Sequence, residues 1–300
     1  MNQQESKKSP NRNQGFKVNE PIALFDFLSN KFPENSRSSV KSMLQGKRIL
    51  VNGETISVFN HQLQTGDIVE IAKKQVVKKV NLRGITILYE DKDLVIIDKA
   101  AGLLSITGLN KEEITAYRIL SQHFKDEDEK AKIFIVHRLD QDTSGVMMFA
   151  KSLKAQELMQ KHWKKYVSER YYVAVVEGQV ENAEGSIISY LTENNYYKMF
   201  SNFTDNGGQK AVLDYRRMKV GKHYTMLEIT LDTGRKNQIR VQLNAIGHPI
   251  AGDKKYGAQS NPIRRIALHA RTLNFIHPIT QQEMRFEVPA PKSFYSLVKQ

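Results

Sequence analysis

Two apolar runs of strand length, Ile133-Phe134-Ile135-Val136 and Val146-Met147-Met148-Phe149-Ala150, flank the polar segment His137-Arg138-Leu139-Asp140-Gln141-Asp142-Thr143-Ser144-Gly145. Runs this short and this apolar, bounded by turn residues, read as strands buried in a sheet. The fold is thereby constrained to one with a central sheet. Asp140 falls on a short, rigid loop between the two strands, facing a cleft, the kind of position from which loops carry chemistry. Arg138 lies two residues away and can project beside it. On its own, an Asp in D-x-x-T-S-G is more often a turn former whose carboxylate bonds nearby backbone N–H groups.

The rest of the chain narrows the chemistry. Its 300 residues carry 45 Lys and Arg against 32 Asp and Glu, a formal charge of +13. Such an excess favours a polyanionic partner, nucleic acid before an acidic membrane surface. No run approaches the ~18 apolar residues of a membrane span. Met1 to Gly15 is polar, without the apolar stretch of a secretory signal, so a cytoplasmic location is expected. With no cysteine, disulfides, thiol nucleophiles and Cys-held zinc drop out. The eight histidines show no metal-ligand spacing, and no glycine-rich phosphate loop or dinucleotide fingerprint is present. The expectation is an enzyme without metal or cofactor, using Asp, Glu, Tyr, Lys, Arg or His. Nothing in the sequence calls for an obligate protein partner.

Four segments are expected along the chain. Residues 1–18, rich in Asn, Gln, Ser and Lys, read as disordered. Residues 19–75 read as a small unit: a helix around Leu24, Phe25, Phe27 and Leu28, then one capped by Ser36 with Val40, Met43 and Leu44 on its apolar face and ended by Gly46. A hairpin through Asn52-Gly53 follows, then a turn at Gly66-Asp67 into Ile68–Ile71. Residues 76–84 read as a basic linker, and 85–300 as a second domain. There, strands are expected on both sides of Asp91-Lys92-Asp93, at Tyr171–Val176 and at Thr225–Leu231. One helix is expected from Ala155 through His162 and Trp163, with Trp163 in the core. Strands and helices without regular βαβ alternation argue for an α+β fold.

Three more groups of residues stand out. Arg37 and Lys41 lie one helical turn apart, with Lys47 and Arg48 just beyond; a basic face of this kind is usually solvated. In Arg170-Tyr171-Tyr172-Val173, a strand Tyr is normally a core residue with its hydroxyl satisfied. In Gly234-Arg235-Lys236-Asn237-Gln238-Ile239-Arg240, the residues Ile239, Leu243 and Ile246 share one helical face, and Arg240 alone reads as a surface salt-bridge residue worth under about 1 kcal/mol.

Taken together, these residues carry a resemblance. His-Arg-Leu-Asp-x-x-Thr-Ser-Gly is similar to the signature of the RluA-type pseudouridine synthases, whose catalytic carboxylate would be Asp140. Arg170-Tyr171-Tyr172-Val173-Ala174 resembles the family's Lys-x-Tyr-x-Ala pattern. That implies Tyr172 as the tyrosine stacking on the target uracil and assisting proton removal, with Arg170 at the usual Lys. Proton removal is the weaker part, because a tyrosine hydroxyl with an ordinary pKa near ~10 is a poor base. The block at 234–240 resembles Gly-Arg-x-His-Gln-Ile-Arg, implying that Arg240 pairs with Asp140 and that Ile239 walls the base. Such a pairing is physically sound, since a nearby guanidinium keeps a half-buried carboxylate ionised and aimed. Arg138 is implied as the residue filling the space of a flipped-out uridine. The resemblance extends over nearly the whole chain beyond residue 20, including Leu268-His269-Ala270 and Val288-Pro289-Ala290-Pro291. Departures occur at Asn237 and Gln242, where the family often has His, and at Asp98-Lys99-Ala100-Ala101-Gly102, which replaces Asn-Lys-Pro-x-Gly. In the amino-terminal unit, the order helix, Gly, Lys-Arg, Ile-Leu-Val-Asn-Gly resembles the S-four type RNA-binding domain, named from a ribosomal protein. It implies phosphate contacts from Arg37, Lys41, Lys47 and Arg48.

The resemblance implies a pseudouridine synthase fold, a mixed, mostly antiparallel central sheet with flanking helices, behind a small amino-terminal α/β-hairpin RNA-binding domain. The implied activity is cofactor-free isomerisation of uridine in structured RNA, large-subunit (23S) ribosomal RNA ahead of transfer RNA. Attack by Asp140 on the sugar and action as a base are both open, and each needs a single ionised carboxylate. Two rivals remain: a catalytically silent RNA-binding ribosome-assembly protein, and a hydrolase that releases the base.

Overall fold

A computed structural model describes residues 14–45, 48–56, 58–71, 81–107 and 113–299. The chain divides into two compact units, residues 1–79 and 80–300.

In the first unit, helices Leu24–Lys31 and Arg37–Gln45 accompany a sheet of four short strands, Gln14–Lys17, Ile68–Ile71, Ile49–Val51 and Glu54–Thr55 in spatial order. The Ser36 hydroxyl accepts the Ser39 N–H at 3.2 Å, satisfying a donor that a helix start leaves open. Ile49–Val51 and Glu54–Thr55 pair antiparallel through Asn52 and Gly53, at φ of 52° and 83°, the left-handed pair a tight hairpin requires. Leu24, Leu28, Val40, Leu44, Ile49, Leu63 and Val69 form the core.

Part of the segment expected to be disordered is a strand. Gln14–Lys17 pairs antiparallel with Ile68–Ile71, Val18 is fully buried, and the Phe16 ring meets Phe32 edge-on at 5.6 Å. Two apolar residues two positions apart are enough to fasten one face of a strand, yet too few to register against a polar background. Residues 1–13, Gly46, Lys47 and the lysines at 73, 74, 78 and 79 lie outside the described residues.

The second unit is built on a twelve-stranded, mostly antiparallel sheet. Its main path runs Met199–Asn202, Glu184–Glu193, Gln209–Val220, Tyr224–Leu231, Val167–Glu177, Leu268–Ile276, Ser144–Ala150, Leu94–Lys99, Ile85–Glu90 and Asn81–Leu82. This sheet begins at Asn81, inside the segment expected to be linker, because Asn81–Leu82 pairs back onto Ile85 and Thr86. The strand Ser144–Ala150 is buried at every position. That explains its unbroken apolar run, since a strand covered on both faces loses the alternation of a half-exposed one.

Strand Ser144–Ala150 makes a parallel pairing with Leu268–Ile276, Ser144 opposite His269 and Gly145 opposite Ala270. At Gly145 (φ 115°) a Cβ would lie 2.0 Å from the Ala270 carbonyl oxygen. The glycine that reads as a turn residue therefore permits a close approach of backbones as well. Helix Gln238–Ala245 adds Ile239 and Leu243 to a cluster with Val173–Val176, Leu227 and Phe294.

The single helix expected across 155–163 is two pieces. Leu153–Lys161 stops at His162, whose φ and ψ are −125° and 37°, and Trp163–Tyr166 follows as one turn. Both Lys165 and Tyr166 donate their N–H to the His162 carbonyl, so the break is internally bonded. It leaves Trp163 half-buried, one side packed against a core cluster and the other beside a cleft.

Candidate active site

Asp140 sits between two pinned backbone units. The buried Ser105 hydroxyl donates to the Leu139 carbonyl (2.6 Å) and accepts the Leu139 N–H (3.1 Å). On the other side, Lys99 Nζ donates to the Gln141, Ala100 and Leu103 carbonyls at 3.0, 2.9 and 2.7 Å. Lys99 is fully buried, and that burial depresses its ammonium to about 8, against the pull of Asp142. The rigidity expected of this loop thus comes from Ser105 and Lys99, which the sequence reading left without a role.

Arg240 reaches Asp140 from the first turn of helix Gln238–Ala245. Its Nη1 lies 3.3 Å from Asp140 Oδ2, while Nε and Nη2 donate to the two oxygens of Asp253 at 2.7 and 2.9 Å. The Arg240 side chain is 10% exposed and that of Asp253 1%, so this is no surface ion pair. Its planar fork matches a carboxylate edge-on and lies 4.9 Å from the Tyr256 ring centre. Burial opposes the charged guanidinium, but the hydrogen bonds and charge of Asp253, then of Asp140, hold its pKa above the ordinary arginine value. Asp253 is the anchor of the site. It stands in Gly252-Asp253-Lys254-Lys255-Tyr256-Gly257, a polar segment that does not say which cation the aspartate would meet.

A third donor comes from Asn237, in the left-handed region at φ 52°. Its Nδ2 lies 2.6 Å from Asp140 Oδ2, and its Oδ1 accepts from the Tyr256 hydroxyl at 3.0 Å. The Tyr256 oxygen itself accepts the Met199 N–H at 3.2 Å. Its proton is therefore directed to Asn237 Oδ1, which turns the amide NH2 toward Asp140. Asn237, noted in the sequence only as a departure from His, is an immediate neighbour of Asp140.

These groups open into a cleft of about 540 Å³ lined by all six residues singled out for this region: Arg138, Asp140, Arg170, Tyr172, Ile239 and Arg240. Six cationic side chains line it against two carboxylates, Asp140 and Asp232. Arg138 is exposed. Arg170 donates to the Leu231 carbonyl at 3.0 Å and lies over Trp163 at 5.6 Å, so the tryptophan backs a cleft-lining cation. Tyr172 is aimed by an irregularity. Tyr171 pairs with Thr272 but Tyr172 with Ala270, and the extra residue in the partner strand shifts the local phase. Burial raises the Tyr172 hydroxyl pKa, with Arg170 opposing and Asp140 adding to the rise. His137, at the head of the motif, accepts the Met148 N–H at 3.0 Å. Burial lowers its pKa to about 3, which keeps the ring neutral as the acceptor of that bond.

In the first unit, Arg37 and Lys41 are exposed one turn apart on their helix, with Arg37 5.8 Å from the Phe25 ring centre. Arg48 is half-buried. Among the described residues, no group of three or more His, Cys, Asp or Glu is arranged to hold a metal ion. No helix among them is long and apolar enough to cross a membrane.

Sheet and cleft together describe a cation-lined cavity into which one positioned carboxylate opens. Residues 93–245 match the RNA pseudouridylate synthase family. An uncharacterized RNA pseudouridine synthase of Bacillus subtilis is 33% identical over 258 residues, covering 85% of this chain and 90% of its own. The ribosomal large subunit pseudouridine synthase D of Pasteurella multocida is 31% identical over 290 residues, covering 91% and 89%. The solved structure of human RNA pseudouridylate synthase domain containing 4 shares the fold, with a TM-score of 0.57 over 70% of this chain and 90% of that one, at 24% identity. The chain belongs to the RNA pseudouridylate synthase family and is an isomerase acting on RNA.

Proposed function

We propose that this enzyme converts specific uridines of large-subunit ribosomal RNA to pseudouridine, with Asp140 as the reacting carboxylate. The observation that carries the reading is the Arg240 fork, bonded through two nitrogens to buried Asp253 and through the third to Asp140 inside a cationic cleft. The reaction breaks the bond between the ribose and N1, turns the uracil, and joins C5 to the sugar; the C5 hydrogen leaves and N1 gains one. RNA mass is unchanged. Taking the uridine out of its stack costs a few kcal/mol, and Arg138, a planar cation at the cleft's edge, fills the vacated place. Tyr172 stacks on the uracil against Ile239. Its raised pKa argues for a packing role over that of a base. Arg170 sets the position of Tyr172's neighbours through Leu231 and Trp163.

The amino-terminal unit, with its S-four-like order of elements, docks RNA phosphates through Arg37, Lys41 and Arg48, in a cytoplasmic setting. The choice of ribosomal RNA rests on relatives named ribosomal large subunit pseudouridine synthase D. Pseudouridine mapping of total RNA from cells with and without the protein tests the substrate: sites lost only from transfer RNA overturn it. Asp140→Asn tests the site. The folded variant is expected to bind RNA and make no pseudouridine, and turnover near the wild-type rate would remove Asp140 from the chemistry.

A further inference from the structure

A rigid aromatic tip stands beside the cleft with no role in the chemistry above. Between strands Glu184–Glu193 and Met199–Asn202 the chain turns through residues 194–198. The Asn194 carboxamide oxygen accepts the N–H of Tyr196 and of Lys198, at 3.0 and 2.9 Å, and the Asn194 carbonyl accepts that of Tyr197 at 3.0 Å. The turn is held firmly, yet it displays its rings to solvent: Tyr196 is 87% exposed, Tyr197 59% and Phe200 47%. Soluble proteins seldom expose several large rings together without a partner for them. The cations around them are specific. Lys236 lies 5.3 Å from the Tyr197 ring centre and Lys198 5.8 Å from that of Phe200, while Lys255 Nζ reaches the Tyr197 carbonyl at 3.4 Å.

We infer that this hairpin is a stacking platform for an unpaired stretch of the RNA substrate, adjoining the nucleotide held in the cleft. Continuity supports this: Lys236 both lines the cleft and covers Tyr197, so a strand leaving the cleft past Lys236 meets the tip directly. Rings interleaved with lysines suit single-stranded nucleic acid, because every base offers a face to stack and every nucleotide a phosphate. A second copy of the chain is a poorer fit. The edge strand Met199–Asn202 has only four residues and is preceded by a lysine, features that discourage pairing between sheets. The inference rests on the reading that the cleft holds the target uridine.

The test uses the full chain and two probes, a short fluorescent oligouridylate and a perfectly paired RNA duplex. Tyr196→Ala and Phe200→Ala remove rings at ordinary backbone positions. Tyr197, at φ 58°, is changed to Asn, which tolerates the left-handed region. Each variant is expected to weaken oligouridylate binding by about 5- to 150-fold. Duplex affinity, melting temperature and kcat at saturating RNA are expected to stay unchanged, and Tyr196→Phe to keep wild-type affinity. Unchanged oligouridylate affinity in all three overturns the inference. So does a change in self-association on sedimentation with RNA affinity intact, which would make the face a contact between copies. Asp140→Asn, run in parallel, keeps the two readings apart. Persistent turnover there indicts the site assignment, whereas lost turnover there with unaltered binding in the ring variants indicts only the platform.

Discussion

If Tyr256 influences Asp140, it does so through Asn237, and a double-mutant cycle can show it. Asn237 is best removed as Asn237→Gly: at φ 52° alanine would add backbone strain, whereas glycine is at ease there and serves almost as well at a helix start. The Asn237 side chain makes no capping bond of its own, so the change deletes the amide bond to Asp140 together with the acceptor of the Tyr256 hydroxyl. A hydrogen bond to a charged acceptor is worth about 1.5–3 kcal/mol. If that is the energy holding the carboxylate in its productive rotamer, the ceiling on the fall in kcat is about 10- to 150-fold, at 1.4 kcal/mol per tenfold. Tyr256→Phe breaks a neutral bond worth about 1 kcal/mol, so kcat should fall about fivefold. It also frees the Met199 N–H, which should lower the melting temperature. The decisive quantity is the effect of Tyr256→Phe in the Asn237→Gly background, where the tyrosine has nothing left to orient. There kcat should change by less than about twofold, against the independence seen between separate sites. The assay follows from the chemistry: RNA tritiated at uracil C5 releases label to water with each turnover. Independent, multiplying effects of the two substitutions would refute the relay, as would a rise in KM with kcat unchanged.

Three other outcomes are expected. Gly145→Ala must force a Cβ against the Ala270 carbonyl in addition to adopting φ 115°, which should cost about 3 kcal/mol or more in denaturant unfolding; a loss under about 1 kcal/mol would mean the parallel pairing relaxes freely. Lys99, held at about 8 against an ordinary 10.5, gives up its proton in the folded chain before it does in the unfolded one. Between those values the unfolded state carries the extra proton, so this group's contribution to stability rises with pH. The neutral amine has one N–H fewer for its three carbonyls, so kcat should decline above about pH 8, and Lys99→Met should abolish that alkaline limb; an identical limb in the variant would exonerate Lys99. Replacing Arg37 and Lys41 by Gln should reduce the salt dependence of RNA binding by about one counterion each, and an unaltered salt titration would count against phosphate docking by the first unit.

The elements legible in the sequence were those whose signal is local. The Asn52-Gly53 hairpin, the Ser36 cap and the apolar run Val146–Ala150 of the buried strand each announce themselves within a few residues, whereas Ser144 and Gly145, legible only as turn residues, open that strand. The strand Gln14–Lys17 does not, because its stability comes from pairing with Ile68–Ile71 and from Phe32, more than fifteen positions away. The helix break at His162 was hidden for a related reason. The apolar spacing of Leu158, Met159 and Trp163 is as good for one helix as for two, and only the contacts of Trp163 with His137 and Arg170 distinguish them.

The same division runs through the site. The six cleft residues were found because each stands in a short pattern, yet what controls them lies elsewhere in the chain. Leu139 is clamped by Ser105 and Gln141 by Lys99, while Arg240 is gripped by Asp253 and Asn237 is oriented by Tyr256. Each supporting residue carries a polar group and all four are buried, so each would be costly to keep without its partner. That cost is the physical signal the sequence did contain. A lysine inside the apolar strand Leu94–Lys99, or an aspartate between Ala251 and two lysines, requires a specific partner once buried. Naming that partner requires knowing which distant segment the sheet brings beside it. The parallel pairing at Gly145 and Ala270 brings Leu268 to the cleft wall, and the sheet path sets the strand that bears Tyr172 and the strand that follows the Asp140 loop on either side of Leu268–Ile276. The carboxylate is therefore aimed by the sheet's topology as much as by its own motif.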